Sequence, residues 1–145
     1  MSAPDEPPDQ AADRLAEAKR WIAIARDDID VARAAIQLAP PRAGIAAYHL
    51  QQAAEKLFKA MLVLAGQAFR RTHDLDDLAD QLASLHPQWQ DRLNALRHLT
   101  VWGVAYRYPG LEDEPEPEPS IAEIEQTAVA IGALIVDVEA RESHG

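Results

Sequence analysis

Two pairs of residues in this chain carry side chains suited to phosphate chemistry. Arg92 and His98 are separated by the five residues LNALR. In metal-independent RNA cleavage a histidine moves a proton while an arginine stabilises charge on the phosphate. On one ideal helix this interval sets the two roughly 120° apart, so they do not stack directly. His98 instead shares a face with Asn94 and Trp102, four residues to either side. A half-buried histidine packed beside Trp102 is the plainer reading of that face, and Arg42 with His49 fits a similarly loose interval. The second pair is Arg107-Tyr108. Its arginine suits a phosphate and its tyrosine a stacked base. The same two side chains would equally close a helix terminus, since Pro109-Gly110 follows at once.

A third grouping is a row rather than a pair. Tyr48, Gln51, Gln52, Glu55 and Lys59 recur at spacings of three and four, opposite an apolar side made by Leu50, Ala53, Leu57, Met61 and Leu64. Glu55 precedes Lys59 by one turn, the favourable orientation for a helical ion pair. A row headed by an aromatic and rich in glutamine meets another subunit, holds a polar ligand, or is an ordinary solvated face. The pattern by itself tilts towards the solvated face.

Other chemistries find little purchase. The chain has no cysteine, which removes disulfides and thiolate metal sites. No two of His49, His73, His86, His98 and His144 are spaced to share a helical turn, and no HExxH or phosphate-loop pattern occurs. Ser2, Ser84, Ser120 and Ser143 sit in no nucleophile motif. No metal and no cofactor is expected. The formal net charge of −10 argues against broad, sequence-independent binding to a nucleic-acid backbone. That charge is uneven, however. Arg42 to Arg71 holds five basic residues and one acidic, whereas Glu112 to Glu125 holds seven acidic and none basic. A local basic surface is compatible with an acidic protein.

These groups must be positioned by helices. Residues 1–10, acidic and proline-rich, read as a disordered leader without signal-peptide features. A single domain follows over 11–142, and 145 residues suffice for a real core. The first helix should start near Asp9 or Asp13 and run to about Leu38. Its seam is Leu15, Ala18, Ile22, Ala25, Ile29, Ala32 and Ile36, and a second stripe of Trp21, Ile24, Val31, Ala35 and Leu38 should widen the apolar face. Pro40-Pro41 ends it. The second helix runs from about Arg42 to Ala65 and stops at Gly66. Asp74 caps a short third helix that ends near His86. Pro87 opens a fourth, which continues to about Tyr106.

The acidic stretch at 111–119 alternates Glu with Pro and resists regular structure. Ser120 with Glu123 makes a capping box for a last helix that should bury Ile121, Ile124, Ala128, Ile131, Ile135 and Val138. The expected fold is therefore all-α, an antiparallel up-and-down bundle of about five helices. No apolar run reaches the ~18–20 residues that span a bilayer, so a soluble, cytoplasmic protein with no membrane contact is expected.

The segment Tyr48-His49-Leu50-Gln51-Gln52-Ala53-Ala54-Glu55-Lys56 with Lys59-Ala60, then Thr72-His73-Asp74-Leu75, then Arg107-Tyr108-Pro109, resembles the HEPN family (higher eukaryotes and prokaryotes nucleotide-binding domain). The resemblance spans roughly Ala16 to Ala140, in the Arg-Tyr-Pro-containing prokaryotic branch. It implies a helical bundle that commonly forms a homodimer and associates with nucleotides or RNA. It also implies a minimal nucleotidyltransferase partner, as in a toxin–antitoxin pair. Tyr48, Gln52, Glu55, Lys59, His73, Arg107 and Tyr108 would then supply a nucleotide- or partner-binding site. The family's RNase branch uses an Arg-x(4–6)-His motif that Arg92 and His98 fit in interval, but Leu93 stands where a polar residue usually follows the arginine. The alternatives are thus a metal-independent endoribonuclease toxin using Arg92 and His98, and a non-catalytic dimeric scaffold.

Overall fold

A computed structural model describes residues 7–69, 74–105 and 118–144, with only the backbone described at 103–105 and 143–144. Among these residues the elements are α1 (Pro8–Ile36), α2 (Ala43–Leu64), α3 (Leu75–Leu85), a 3-10 turn (Pro87–Trp89), α4 (Gln90–Arg97), α5 (Thr100–Ala105) and α6 (Ile121–His144), with no strand. The chain is an all-α bundle. α2 lies at its centre, against α1 along its length and against α3, α5 and α6 around the rest.

Small residues let the first two helices approach closely. Ala18, Ala25 and Ala32 of α1 meet a helix that itself buries Ala46, Ala47, Ala53, Ala54 and Ala60. Leu50, Leu57, Phe58, Met61 and Leu62 of α2 fill the space towards the other helices and are fully buried. Removing one such side chain down to Ala would cost about 2–5 kcal/mol.

Most helix limits follow from local chemistry. α1 opens with Pro8 in its first turn, so it takes in residues 8–10 that the sequence assigns to the leader. α2 closes as a Schellman motif: Gly66 N–H donates to Val63 O and Gln67 N–H to Leu62 O, both at 2.9 Å, with Gly66 at φ +70°. Arg14 adds a donor from α1, its Nη1 lying 3.1 Å from Leu64 O. Asp74 caps α3 by accepting from Asp76 N–H at 2.9 Å. The capping box of α6 is present, with Glu123 N–H donating to Ser120 Oγ at 3.1 Å and Ser120 N–H to Glu123 Oε1 at 3.3 Å.

Four expectations are corrected. The fourth helix is broken: α4 ends at Arg97, and α5 begins at Thr100 after a tight turn whose amides bond three residues back. Thr100 Oγ1 accepts the first amide of α3, from Leu75 at 2.9 Å, and Arg97 Nη2 reaches Asp80 of α3 at 2.9 Å. Docking on α3 thus competes with helical continuity. Only part of the second stripe of α1 joins the core: Ala35 is buried and Trp21 packs against it, but Ile24, Val31 and Leu38 are exposed, and so is Ile121 at the start of α6. The side of α2 opposite Leu50 is not a solvated face, because Gln51, Glu55 and Lys59 are buried, with Trp21 of α1 and Phe69 just beyond α2 over Lys59. Tyr106, His73, Arg107, Tyr108 and residues 111–117 of the acidic stretch lie outside the described residues.

Candidate functional site

Glu55 and Lys59 form a buried ion pair within α2, their side chains 1% and 10% exposed, with Lys59 Nζ 3.0 Å from Glu55 Oε2. Trp21 of α1 and Phe69 just beyond α2 cover the ammonium, each ring centroid 5.7 Å from Nζ. These rings meet edge to face at 6.3 Å. A charge taken out of water must be neutralised and hydrogen-bonded. The carboxylate here meets that requirement with Lys59, with Gln51 Nε2 at 3.5 Å from Oε1, and with Lys56 Nζ at 3.8 Å from Oε2.

From that anchor a chain of hydrogen bonds runs outward along α2. Gln52 Nε2 donates to Gln51 Oε1 at 2.6 Å, and Lys56 Nζ donates to Gln52 Oε1 at 3.0 Å. Gln51 is buried, whereas Tyr48, Gln52 and Lys56 are half-buried and form the margin where the central helix reaches the surface. One turn earlier His49 Nδ1 lies 2.9 Å from Asp28 Oδ1 of α1, and Tyr48 sits edge-on to the imidazole at 5.4 Å. The arrangement holds amide, ammonium, phenol and imidazole groups in fixed places on one strip. Such groups can orient a polar ligand without supplying a metal or a strained nucleophile.

The residues expected at a site are therefore distributed unequally. Tyr48 and Gln52 lie on the accessible margin, while Glu55 and Lys59 lie beneath it. Gln51 of the same polar row joins them, together with Lys56, Asp28 and the two covering aromatics, which the pattern of the sequence did not assign to a site. The available signal was a Gln-Gln pair amid a helix otherwise apolar nearly all round. Arg92 and His98 are not engaged with each other in what is described. Arg92 Nη1 is 2.6 Å from Asp137 Oδ2 on α6, and His98 is an exposed C-cap, edge-on to Trp102 at 6.1 Å. His86 is a separate titratable centre. It is buried between Trp89, 4.9 Å away, and Arg141, whose Nη1 is 3.4 Å from His86 Nδ1. Burial first, and the Arg141 charge second, hold its pKa below the usual value. Among the described residues no cluster of three or more His, Asp or Glu could hold a metal ion, and no helix is long and apolar enough to cross a membrane.

Most of the sequence of this helical bundle matches a known family. A model of the HEPN domain matches residues 18–132, most of α1 through the first half of α6. The chain belongs to the HEPN family. Neither the curated proteins nor the solved structures compared with the chain contain a match. HEPN membership covers all the residues of the α2 strip, Asp28 and both covering aromatics. It supports a nucleotide- or RNA-associated module.

Proposed function

We propose that this HEPN protein is a homodimeric nucleotide- or RNA-associated module that works with a minimal nucleotidyltransferase partner, as a toxin–antitoxin-like pair in the cytoplasm. The observation that carries the reading is the ordered polar strip on α2, anchored on a buried ion pair and open at its margin. Buried charge is costly to maintain, and a helix serving packing alone needs none. Tyr48 and Gln52 make the ligand contacts, and the family resemblance adds His73, Arg107 and Tyr108 to the same site. Glu55 and Lys59 act through the others, as the groups that fix Gln51, Gln52 and Lys56. The contact residues, rather than Lys59, are accordingly the ones to change. Titrating ATP, GTP and a single-stranded RNA by calorimetry should give saturable binding to at least one. Tyr48→Ala with Gln52→Ala should weaken it at least tenfold while the far-UV circular dichroism stays unchanged. Undiminished affinity in that variant would refute the site.

One observation favours a second reading. His98 is exposed at the break between α4 and α5, open to a substrate proton. Metal-independent RNA cleavage that persists in EDTA and disappears in His98→Ala would support the endoribonuclease reading, with Arg92 released from Asp137 to meet phosphate.

A further inference from the structure

The contact between Asp28 of α1 and His49 of α2 fixes one edge of the imidazole and leaves the other open. Asp28 Oδ1 lies 2.9 Å from His49 Nδ1, and the two side chains are 16% and 28% exposed. Neither residue has another hydrogen-bond partner among the described residues. An ionised carboxylate only accepts, so Nδ1 carries the ring proton and the lone pair of the neutral imidazole falls on Nε2. Nε2 makes no hydrogen bond among the described residues and is not one of their buried orphan atoms, so it reaches solvent. His49 shares its side of α2 with Gln52 and Lys56, three and seven residues on. Gln52 Oε1 already accepts from Lys56 at 3.0 Å, and the ammonium carries further N–H groups. A fixed acceptor thus stands beside donors.

We propose that His49 Nε2 accepts a hydrogen bond from the ribose 2′-hydroxyl of the ligand, so that the strip selects ribose over 2′-deoxyribose. This deepens the ligand-binding reading above and rests on it. The order of groups along α2 selects the sugar. Tyr48 offers a ring for a base at one end, and Lys56 an ammonium for a phosphate at the other. His49 and Gln52 lie between them, as a ribose lies between its base and its phosphate. The imidazole is edge-on to Tyr48 at 5.4 Å, one ring away from a base stacked there. Most polar atoms of a nucleotide are acceptors, which suit Lys56 and Gln52 but not a lone pair. The 2′-hydroxyl donates, stays free inside an RNA strand as in a nucleotide, and is the group that DNA lacks. Because the imidazole is half-buried, water partly replaces a missing hydroxyl. The discrimination is therefore about five- to tenfold, not the ~10⁴-fold of an enclosed site.

Calorimetric titrations at about pH 8.5, where free imidazole is neutral, test this. The probes are ATP, GTP and a single-stranded RNA, each beside its 2′-deoxy and 2′-O-methyl counterparts. The wild type should bind the ribose form about five- to tenfold tighter than either, since neither counterpart can donate from that position. His49→Phe should bring the ribose-to-deoxy ratio to within about twofold of one. Asp28→Leu/His49→Phe should do the same, and it leaves no half-buried carboxylate unpaired to endanger the fold. Equal wild-type affinity for ribose and deoxy forms, or a preference that survives in both variants, would overturn the role of His49 while leaving the strip's binding intact. A 2′-O-methyl form bound as tightly as ribose would overturn it too. No binding of any form would overturn the ligand-binding reading itself.

Discussion

Replacing Lys59 by Met leaves the buried Glu55 carboxylate without its 3.0 Å partner while keeping most of the side-chain volume. Breaking a buried ion pair from one side typically costs about 3–5 kcal/mol, mostly the desolvation of the charge left behind. Glu55 retains Gln51 at 3.5 Å and Lys56 at 3.8 Å, longer contacts that place the expected loss near the lower end, about 3 kcal/mol. Glu55→Gln should cost less, about 1–2 kcal/mol, because an ammonium on a flexible stem relaxes towards water more easily than a short carboxylate. Removing both charges, Glu55→Gln/Lys59→Met, should restore stability to within about 1 kcal/mol of wild type. Urea unfolding followed by circular dichroism reads all four proteins, and the midpoint should move without a change in slope. If Lys59→Met lies within about 0.5 kcal/mol of wild type, or if the two single losses simply add, the pair is not a buried, mutually dependent unit. The same arithmetic explains why lost ligand binding in Lys59→Ala would be ambiguous.

Other outcomes follow from single features. His86 is held neutral in the fold below its ordinary value of 6.5, so the unfolded chain binds more protons and stability rises with pH. Its contribution is full above that value and lost as pH falls towards the folded pKa. His86→Phe should flatten the stability profile as pH falls below the ordinary value of 6.5, and an unchanged slope would exclude His86 as its source. Gly66→Ala should destabilise by about 1–2 kcal/mol, since φ is +70° and a Cβ would stand 2.8 Å from Arg14 Nη1. Gly132→Ala is the contrast. Its Cβ meets nothing within 4 Å inside α6, so a gain of about 0.5–1 kcal/mol in unfolding free energy is expected.

The elements whose ends are written in local chemistry were legible from sequence. Asp74, Gly66 and the Ser120–Glu123 box each satisfy backbone groups within a few residues of themselves, so their types and spacing carry the information. The break at His98-Leu99 was not, because it depends on Thr100 bonding an amide 25 residues away in sequence. Periodicity named Ile24 and Val31 as apolar but did not say whether a neighbour covers them, and among the described residues both stay exposed. The site shows the same division. The Glu55–Lys59 pair was visible as an i, i+4 spacing, yet its burial was not, since the cover comes from Trp21 and Phe69 on other segments. Tyr48 and Gln52 were expected on the same face as Glu55 and Lys59, and the structure separates them by depth rather than by direction along the helix.

In the proposed site the margin of the α2 strip touches the ligand while the ion pair beneath it only holds that margin in place. The most direct measurement follows the side-chain amide resonances of Gln51 and Gln52 by NMR during titration with ATP, GTP and single-stranded RNA. The Gln52 amide should shift and saturate with one of these ligands, with a smaller response at the buried Gln51. Saturable binding that leaves both amides unmoved, or no binding of any of the three, would contradict that site.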